Sequence, residues 1–231
     1  SYNIAFRSDE IEPRRAASLA TEPERPKVAM VISATGQSVY EEGLQIPVMK
    51  LYESGRRNET LFRIIADNVR SPDLVLGDLM AQVSANQVAG ERLLSVMTDH
   101  RLDDLTRLAD EITGRTEIMM RDAIAKVPVG VYCDSVQLDG FGAPLTIAVA
   151  LTIDGDEIMV DFDGTSPQID MGVNCVLNYT KAFVYYAVKC ALSPEAPNND
   201  GSLRPIRVVA PSSSILNATY PAPVGARHLV G

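Results

Sequence analysis

The chain has 231 residues, 46% of them hydrophobic, and a formal charge of −9 at neutral pH. That apolar content suffices for one substantial core or two small ones and excludes a disordered or fibrous chain. The lysines and arginines are scattered, clustering only as Arg14-Arg15 and Arg56-Arg57, so no basic stripe exists to displace counterions and a nucleic-acid backbone is excluded as partner. Apolar runs such as Thr146 to Ile153 and Ala182 to Val188 fall far short of the roughly 20 residues a bilayer span needs. A soluble protein is expected. Cys133, Cys175 and Cys190 are odd in number and lack metal-like spacing, which reads as reduced thiols. With no signal-peptide pattern, the sequons at Asn58, Asn178 and Asn217 carry no message and the expected compartment is the cytoplasm.

Residues 1 to 27 set Pro13, Pro23 and Pro26 among charges, which predicts a linker or docking arm. Val28 to Ser33 reads as a short buried strand ending in the turn Ser33-Ala34-Thr35-Gly36. From Tyr40 to Glu53 the chain has neither helical nor strand periodicity throughout, yet packs Glu41, Glu42, Gly43 and the Pro47 segment together. Such a stretch predicts an ordered loop with a task, around which the rest is scaffold.

Asn58 caps a helix with Leu61, Ile64, Ile65 and Val69 on one face, and Ser71-Pro72 ends it and starts the next. That second helix carries Leu76, Leu79, Met80 and Val83 and runs to about Met97, with Gln82, Asn86 and Gln87 interrupting its apolar stripe. A third helix, capped by Asp103, aligns Leu105, Leu108, Ala109, Ile112, Met119, Ala123 and Ile124 and ends before Pro128-Val129-Gly130. The period then changes to that of a strand. Val129 to Leu138, Thr146 to Ile153 and Glu157 to Phe162 predict an antiparallel meander, with Asp154-Gly155-Asp156 as its hairpin signal. A helix over Tyr179 to Leu192, a strand over Leu203 to Ala210 and an irregular approach from Asn217 to Val224 follow. Helices followed by strands define the α+β class. The expected division is an arm over 1–35 and a main region over 36–231. A start at Ser1 and a stop at Gly231 in a continuing segment suggest a piece of something longer.

Candidate chemistry is sparse. His100 and His228 are the only histidines, and no H-x-x-H, H-E-x-x-H or C-x-x-C spacing marks a zinc site. His100, in Thr98-Asp99-His100-Arg101, reads as a helix C-cap; His228 beside Arg227 suits anion or carbonyl binding. Cys175 with His228 is a nucleophile pair on paper, though cysteines in apolar surroundings are commonly inert packing. Phosphate-loop and dinucleotide glycine motifs are absent, and Asp161-Phe162-Asp163-Gly164-Thr165 reads as a cation loop or, more simply, as a strand end entering a glycine turn. Glu41-Glu42 is the leading carboxylate pair, of which at most one member enters a site if the chain is extended there.

Several motifs in order resemble one family. Tyr40-Glu41-Glu42-Gly43-Leu44-x-Ile46-Pro47 is followed by Lys50-Leu51-Tyr52, by Arg70-Ser71-Pro72, and by Gly77-Asp78-Leu79-x-Ala81-Gln82 with Asn86. Val160-Asp161-Phe162-x-Gly164-Thr165-Ser166-Pro167-Gln168, Asn174-Cys175, Tyr185-Tyr186-Ala187 and Asn199-x-Gly201-x-Leu203-Arg204-Pro205-Ile206 complete the set. Together they are similar to the hydantoinase B/oxoprolinase family over about Gly36 to Gly231. The resemblance implies the large metal-binding subunit of an ATP-dependent cyclic amide hydrolase, or of a related biotin-independent ketone carboxylase. It also implies a hetero-oligomer in which ATP is used by a hydantoinase A-type partner that phosphorylates the substrate or bicarbonate.

By the same resemblance Ser1-Tyr2-Asn3-Ile4-x-x-Arg7-x-Asp9 makes Asp9 a ligand of a divalent zinc, iron or manganese ion, and Glu42 a carboxylate lining or supporting the site. Asn174, Arg204, Arg227 and His228 are candidates for positioning a substrate carbonyl or phosphorylated intermediate, with His228 grouped beside Glu42 as catalytic. Each has a structural alternative: Asn174 capping a turn, Arg204 pairing with a surface acid, and Arg227 and His228 contacting the partner. The family's G-G-x-H-x-x-D segment and its further histidine have no counterpart between Glu10 and Thr35. A chain truly this short would lack the metal site and serve as an inactive assembly module.

Overall fold

A computed structural model describes residues 35–229. Asp9, the arm over residues 1–27 and the strand expected at Val28 to Ser33 lie outside the described residues. The Glu-Glu-Gly loop begins with one 3-10 turn, Val39–Glu41, and continues irregularly to a two-residue hairpin that the sequence pattern did not predict. In that hairpin β1 (Tyr52–Glu53) pairs with β2 (Arg56–Arg57) across Ser54 and Gly55, both at positive φ, 49° and 77°. A Ser-Gly dipeptide was the available signal, because glycine takes the left-handed position of a tight hairpin turn without a Cβ clash.

Helix α1 (Glu59–Asp67) is capped as expected: the Asn58 side chain accepts from the Leu61 N–H at 3.1 Å. Leu61, Ile65 and Val69 form a small core with Leu51, Val75, Leu76 and Leu79, which anchors the start of α2 (Pro72–Asp99). Proline at the first position of α2 lacks only a donor that would have had no helical acceptor. His100 occupies its C-cap, giving its N–H to Val96 O at 3.0 Å. No residue of α2 is buried, so its apolar stripe is only half covered.

Helix α3 (Thr106–Ile124) corrects two expectations. Asp104, not Asp103, serves its N-terminus, accepting from the Thr106 N–H at 2.7 Å. Of the aligned residues Ile124 is buried as expected but Leu108, Ile112 and Met119 are exposed, while Thr116 and Met120, outside that alignment, are buried. The helix is rotated because it packs on a 3-10 turn, Asp200–Ser202, through its threonine side. There the Asn199 side chain donates to Thr116 Oγ1 at 2.9 Å, and a Cβ on Gly201 would lie 1.9 Å from Thr113 O. Gly201→Ala is therefore expected to cost at least about 2 kcal/mol, because helix and turn must separate. A lowered urea midpoint at unchanged slope is the readout.

The sheet is the meander the alternation predicted, with one addition. Strands β3 (Gly130–Leu138), β4 (Leu145–Asp154) and β5 (Glu157–Asp161) are consecutive antiparallel neighbours, and β6 (Ile206–Val209) joins β5 in parallel. Asp154 pairs with Glu157 across a two-residue turn in which Gly155 stands at φ 61°. The register aligns Ile153 with Ile158 and Ile206, and Leu151 with Val160 and Val208, so that one face is apolar across three strands. Helix α4 (Leu177–Leu192) packs there through Val184, Val188 and Leu192, with Met120 and Ile124 of α3 in the same core. The whole is an α+β fold.

Candidate functional site

The Glu-Glu-Gly loop is held against the far end of the chain. The Val39 N–H donates to Pro221 O at 3.0 Å, the Tyr40 and Tyr220 hydroxyls are hydrogen-bonded, and their rings meet edge to face with centroids 5.8 Å apart. The two neighbouring carboxylates diverge. Glu41 is exposed and accepts from the Gln37 N–H at 3.2 Å, whereas Glu42 is 4% exposed. The divergence arises at the end of a 3-10 turn, not through the alternation of an extended strand.

Glu42 Oε1 accepts from the backbone N–H of Gly225, and Oε2 is buried with no hydrogen-bond partner among the described residues. Burial pushes the Glu42 carboxyl above the usual range, and the Glu41 charge adds to this; the amides of Gly225 and Val224 and the Arg227 guanidinium pull the other way. A Cβ on Gly225 would come within 3.0 Å of Oε1 and 3.1 Å of Cδ, so this approach of backbone to carboxylate requires glycine.

Asn174 organises the floor beneath. It is fully buried; its Oδ1 accepts from the Ile169 N–H at 2.9 Å, and its Nδ2 donates to Ile169 O, Met171 O and Pro223 O at 2.7, 2.8 and 2.9 Å. The amide is saturated, and it ties the 169–171 bend to the segment that presents Gly225. Beside it the Ala226 N–H donates to Gly172 O at 2.7 Å, and the Cys175 N–H to Ile215 O at 2.6 Å.

Arg227 donates to Val224 O at 3.0 Å and lies over the Tyr179 ring at 5.4 Å, close enough to Glu42 and Cys175 to act on both electrostatically. His228, next to it in the turn Arg227–Leu229, is exposed. Arg204 belongs to another cluster, bonded to Asp200 at 2.9 Å and to Glu117 at 3.2 Å, where Arg121 also ties Glu117 to the β4–β5 turn through Asp156 and Glu157. The structure thus brings Glu42, Asn174 and Arg227 together around the Pro223-Val224-Gly225 segment, leaves His228 exposed next to Arg227 in sequence, and places Arg204 with Asp200 and Glu117. Gly225, Pro223 and Tyr220 were missed from sequence; the run Pro221-Ala222-Pro223-Val224-Gly225 was the available sign of a fixed turn.

Cys175 is buried, with its thiol pushed up to about 11 by desolvation despite Arg227, and its Sγ faces Arg227 O at 3.8 Å. A thiol held neutral is a poor nucleophile. In the native chain the exposed Cys133 and Cys190 are expected to react with a disulfide reagent within minutes, and Cys175 only on unfolding, as timed thiol titration would read.

Among the described residues no group of three or more His, Cys, Asp or Glu side chains comes together to hold a metal ion, and Asp9 lies outside them. The described donor set does not fit a divalent ion, and no chemical step is routed through one here. What the geometry offers is a buried carboxyl with one oxygen anchored and the other without a hydrogen-bond partner among the described residues, within electrostatic reach of the Arg227 guanidinium. Burial holds such a carboxyl above the usual carboxylate range, which suits it better than an exposed carboxylate to hold and give up a proton.

These features define the class: an α+β domain whose acidic loop is clasped by a carboxy-proximal Pro-x-Pro-x-Gly segment. A family profile described as Hydantoinase B/oxoprolinase matches residues 27–231, and the chain belongs to that family. It is 35% identical over 206 residues to a putative B-type subunit of a D-/L-hydantoinase from Pseudomonas sp. (strain NS671), covering 83% of this chain and 35% of the relative. The ATP-dependent caprolactamase from Pseudomonas jessenii superposes with a TM-score of 0.76 at 28% identity, covering 84% of this chain and 34% of that one. The nucleotide-free structure of an acetone carboxylase gives 0.77 at 14% identity over 85% of this chain and 28% of its own, a likeness of fold. The chain therefore spans about a third of the length of the relatives it matches. No helix among the described residues is long and apolar enough to cross a membrane.

Proposed function

We propose that this chain is the B-type subunit, or part of it, of an ATP-dependent cyclic amide hydrolase acting on a hydantoin, oxoproline or lactam ring. In this reading a hydantoinase A-type partner spends ATP to activate the ring carbonyl, and the B-type chain completes ring opening. The likeness to a B-type hydantoinase chain at 35% identity carries the reading. Glu42 is assigned the proton transfer, its carboxyl raised above the ordinary range by burial. Arg227 and His228 are assigned to the developing oxyanion or the phosphoryl group, for which a guanidinium and an imidazole are suited donors. Asn174 serves by holding the Gly225 segment in place, and Arg204 is assigned no contact with substrate. Toward a divalent zinc, iron or manganese ion this chain contributes Asp9 alone as a candidate ligand.

The test is coupled turnover. Purified with an A-type partner, the protein is expected to hydrolyse ATP in step with ring opening of a cyclic amide and to carry stoichiometric divalent metal. ATP use that demands a ketone and bicarbonate instead would replace this reading with the ketone carboxylase. Stable partner binding with neither turnover nor metal would replace it with an assembly module.

A further inference from the structure

Glu42 is shut in. Its Oε1 is taken by the Gly225 N–H, and its Oε2 is shielded from solvent without a hydrogen-bond partner among the described residues. A general acid or base must come within hydrogen-bond reach of the proton it moves, directly or through one water. With one oxygen occupied and the other covered, the contact seen here and proton transfer by Glu42 belong to two different conformations.

The two sides of that contact are fastened unequally. On the carboxy-proximal side Pro223 is fully buried with its carbonyl on Asn174 Nδ2, and the buried Ala226 donates to Gly172 O and belongs to the main core. On the other side, within residues 37–43, Glu42 is the one buried residue, and none of the seven belongs to a hydrophobic core. Bonds inside this segment would travel with it: Glu41 N–H to Ser38 O at 3.1 Å, Glu42 N–H to Val39 O at 3.2 Å, and Gln37 N–H to the Glu41 carboxylate at 3.2 Å.

Across the contact, the hydrogen bonds among the described residues run from Val39 to Pro221, between the Tyr40 and Tyr220 hydroxyls, and from Gly225 to Glu42. Both tyrosines are exposed, 62% and 67%, so water competes for their bond. Segments with few buried apolar contacts and solvent-exposed hydrogen bonds open locally at low free energy. Beyond Glu42, Gly43 stands at φ 149°, which residues with a side chain rarely adopt, and residues 44–50 are exposed and irregular. That stretch supplies a hinge.

We propose that residues 37–43 form a strap that swings about Gly43, latched by the Tyr40 and Tyr220 hydroxyls, covering Glu42 when closed and presenting its carboxyl to substrate when open. A buried carboxyl oxygen without a partner works against the closed form, because water satisfies it on opening. The latch holds against that tendency. The catalytic purpose of the strap rests on the proton-transfer assignment made above; its motion does not.

Amide hydrogen exchange on the purified chain, followed by NMR and corrected for intrinsic rates, tests the strap. The Val39 and Gly225 amides are expected to exchange together, at least about a hundredfold faster than those of Ile158 and Phe162 in the sheet, with little response to urea below the unfolding transition. The Ala226 amide, on the fixed side, should stay as protected as the sheet. Tyr220→Phe removes the hydroxyl and keeps the ring, and should speed Val39 and Gly225 about fivefold, the worth of one hydrogen bond, at an unchanged urea midpoint. If it lowers that midpoint, Tyr40→Phe decides: the two hydroxyls share one bond, so it should give the same acceleration and the double variant no more. No acceleration in either variant overturns the latch. Val39 and Gly225 amides as slow as that of Ile158 overturn the proposal, since the segment would then open only with the whole fold. Exchange of Ala226 in step with Gly225 overturns it too, because the floor and not the strap would be moving. Wild-type turnover by Glu42→Gln would overturn the catalytic purpose while the exchange result stood, so the two fail separately.

Discussion

Asn174→Asp is expected to leave little folded protein at 25 °C. The buried amide donates to three carbonyls from two different segments and accepts one N–H. Aspartate keeps the acceptor, removes both donor hydrogens and faces its charge with carbonyl oxygens in a site of 0% exposure. Each buried polar group left unpaired costs about 1–3 kcal/mol and an uncompensated buried charge several more. The total, about 5 kcal/mol or more, matches the lower range of a domain's whole stability. Far-UV circular dichroism in urea would read it, with Asn174→Ala expected to be milder because it adds no charge. A native-like midpoint for the aspartate variant would show that the 169–171 bend and the Pro223 segment do not depend on this clip.

On the proposed function, Glu42→Gln is expected to reduce ATP-dependent ring opening by about 10²–10⁴-fold, the usual contribution of a positioned acid or base, while binding of the proposed partner is kept. Glutamine preserves the acceptor for the Gly225 N–H and the volume, so a fall confined to turnover assigns proton transfer to the carboxyl. An equal loss of partner affinity would instead make the loop a docking element. The pH dependence of stability supplies a second reading. Burial raises the Glu42 carboxyl above its ordinary value of 4.5. Between that value and the raised one the folded chain binds more protons than the unfolded chain, so stability falls as pH rises. The contribution is full below 4.5 and is lost as pH rises through the raised value. Wild type is therefore expected to lose stability relative to Glu42→Gln on going from pH 4.5 toward neutrality, and a parallel pair of curves would refute it. Gly225→Ala should disturb the same contact without removing the acid, since its Cβ would press on Oε1 at 3.0 Å and Cδ at 3.1 Å. A stability cost of about 1–3 kcal/mol is expected from that overlap.

What was legible in the sequence was local. The Asn58 cap, the Ser71-Pro72 break and the Asp154-Gly155 hairpin are set by interactions within a few residues, and each stands where the pattern put it. The strand pattern from Val129 onward marked the antiparallel meander, and a shift of one residue would expose the buried face of β5, whereas β3 is exposed along seven of its nine residues. The helix face of α3 was misjudged. Leu108, Ile112 and Met119 make a convincing stripe, yet the close approach of Gly201 to Thr113 turns the threonine side inward. Hydrophobic periodicity names a candidate face; the partner that covers it lies 88 residues away in the pair Gly201 and Thr113, beyond the reach of any local pattern.

The candidate site divides in the same way. The amino-acid sequence by itself determined the family and the residue types that the Glu-Glu-Gly loop carries, because motifs are local strings. Only the tertiary structure decided which carboxylate turns inward, that Asn174 spends its whole amide on backbone, and that Arg204 sits with Glu117 and Asp200. The Glu42 to Gly225 contact spans 183 positions. Burial, and with it the raised carboxyl, comes into being when those distant segments meet, since desolvation belongs to the packed environment and not to the residue.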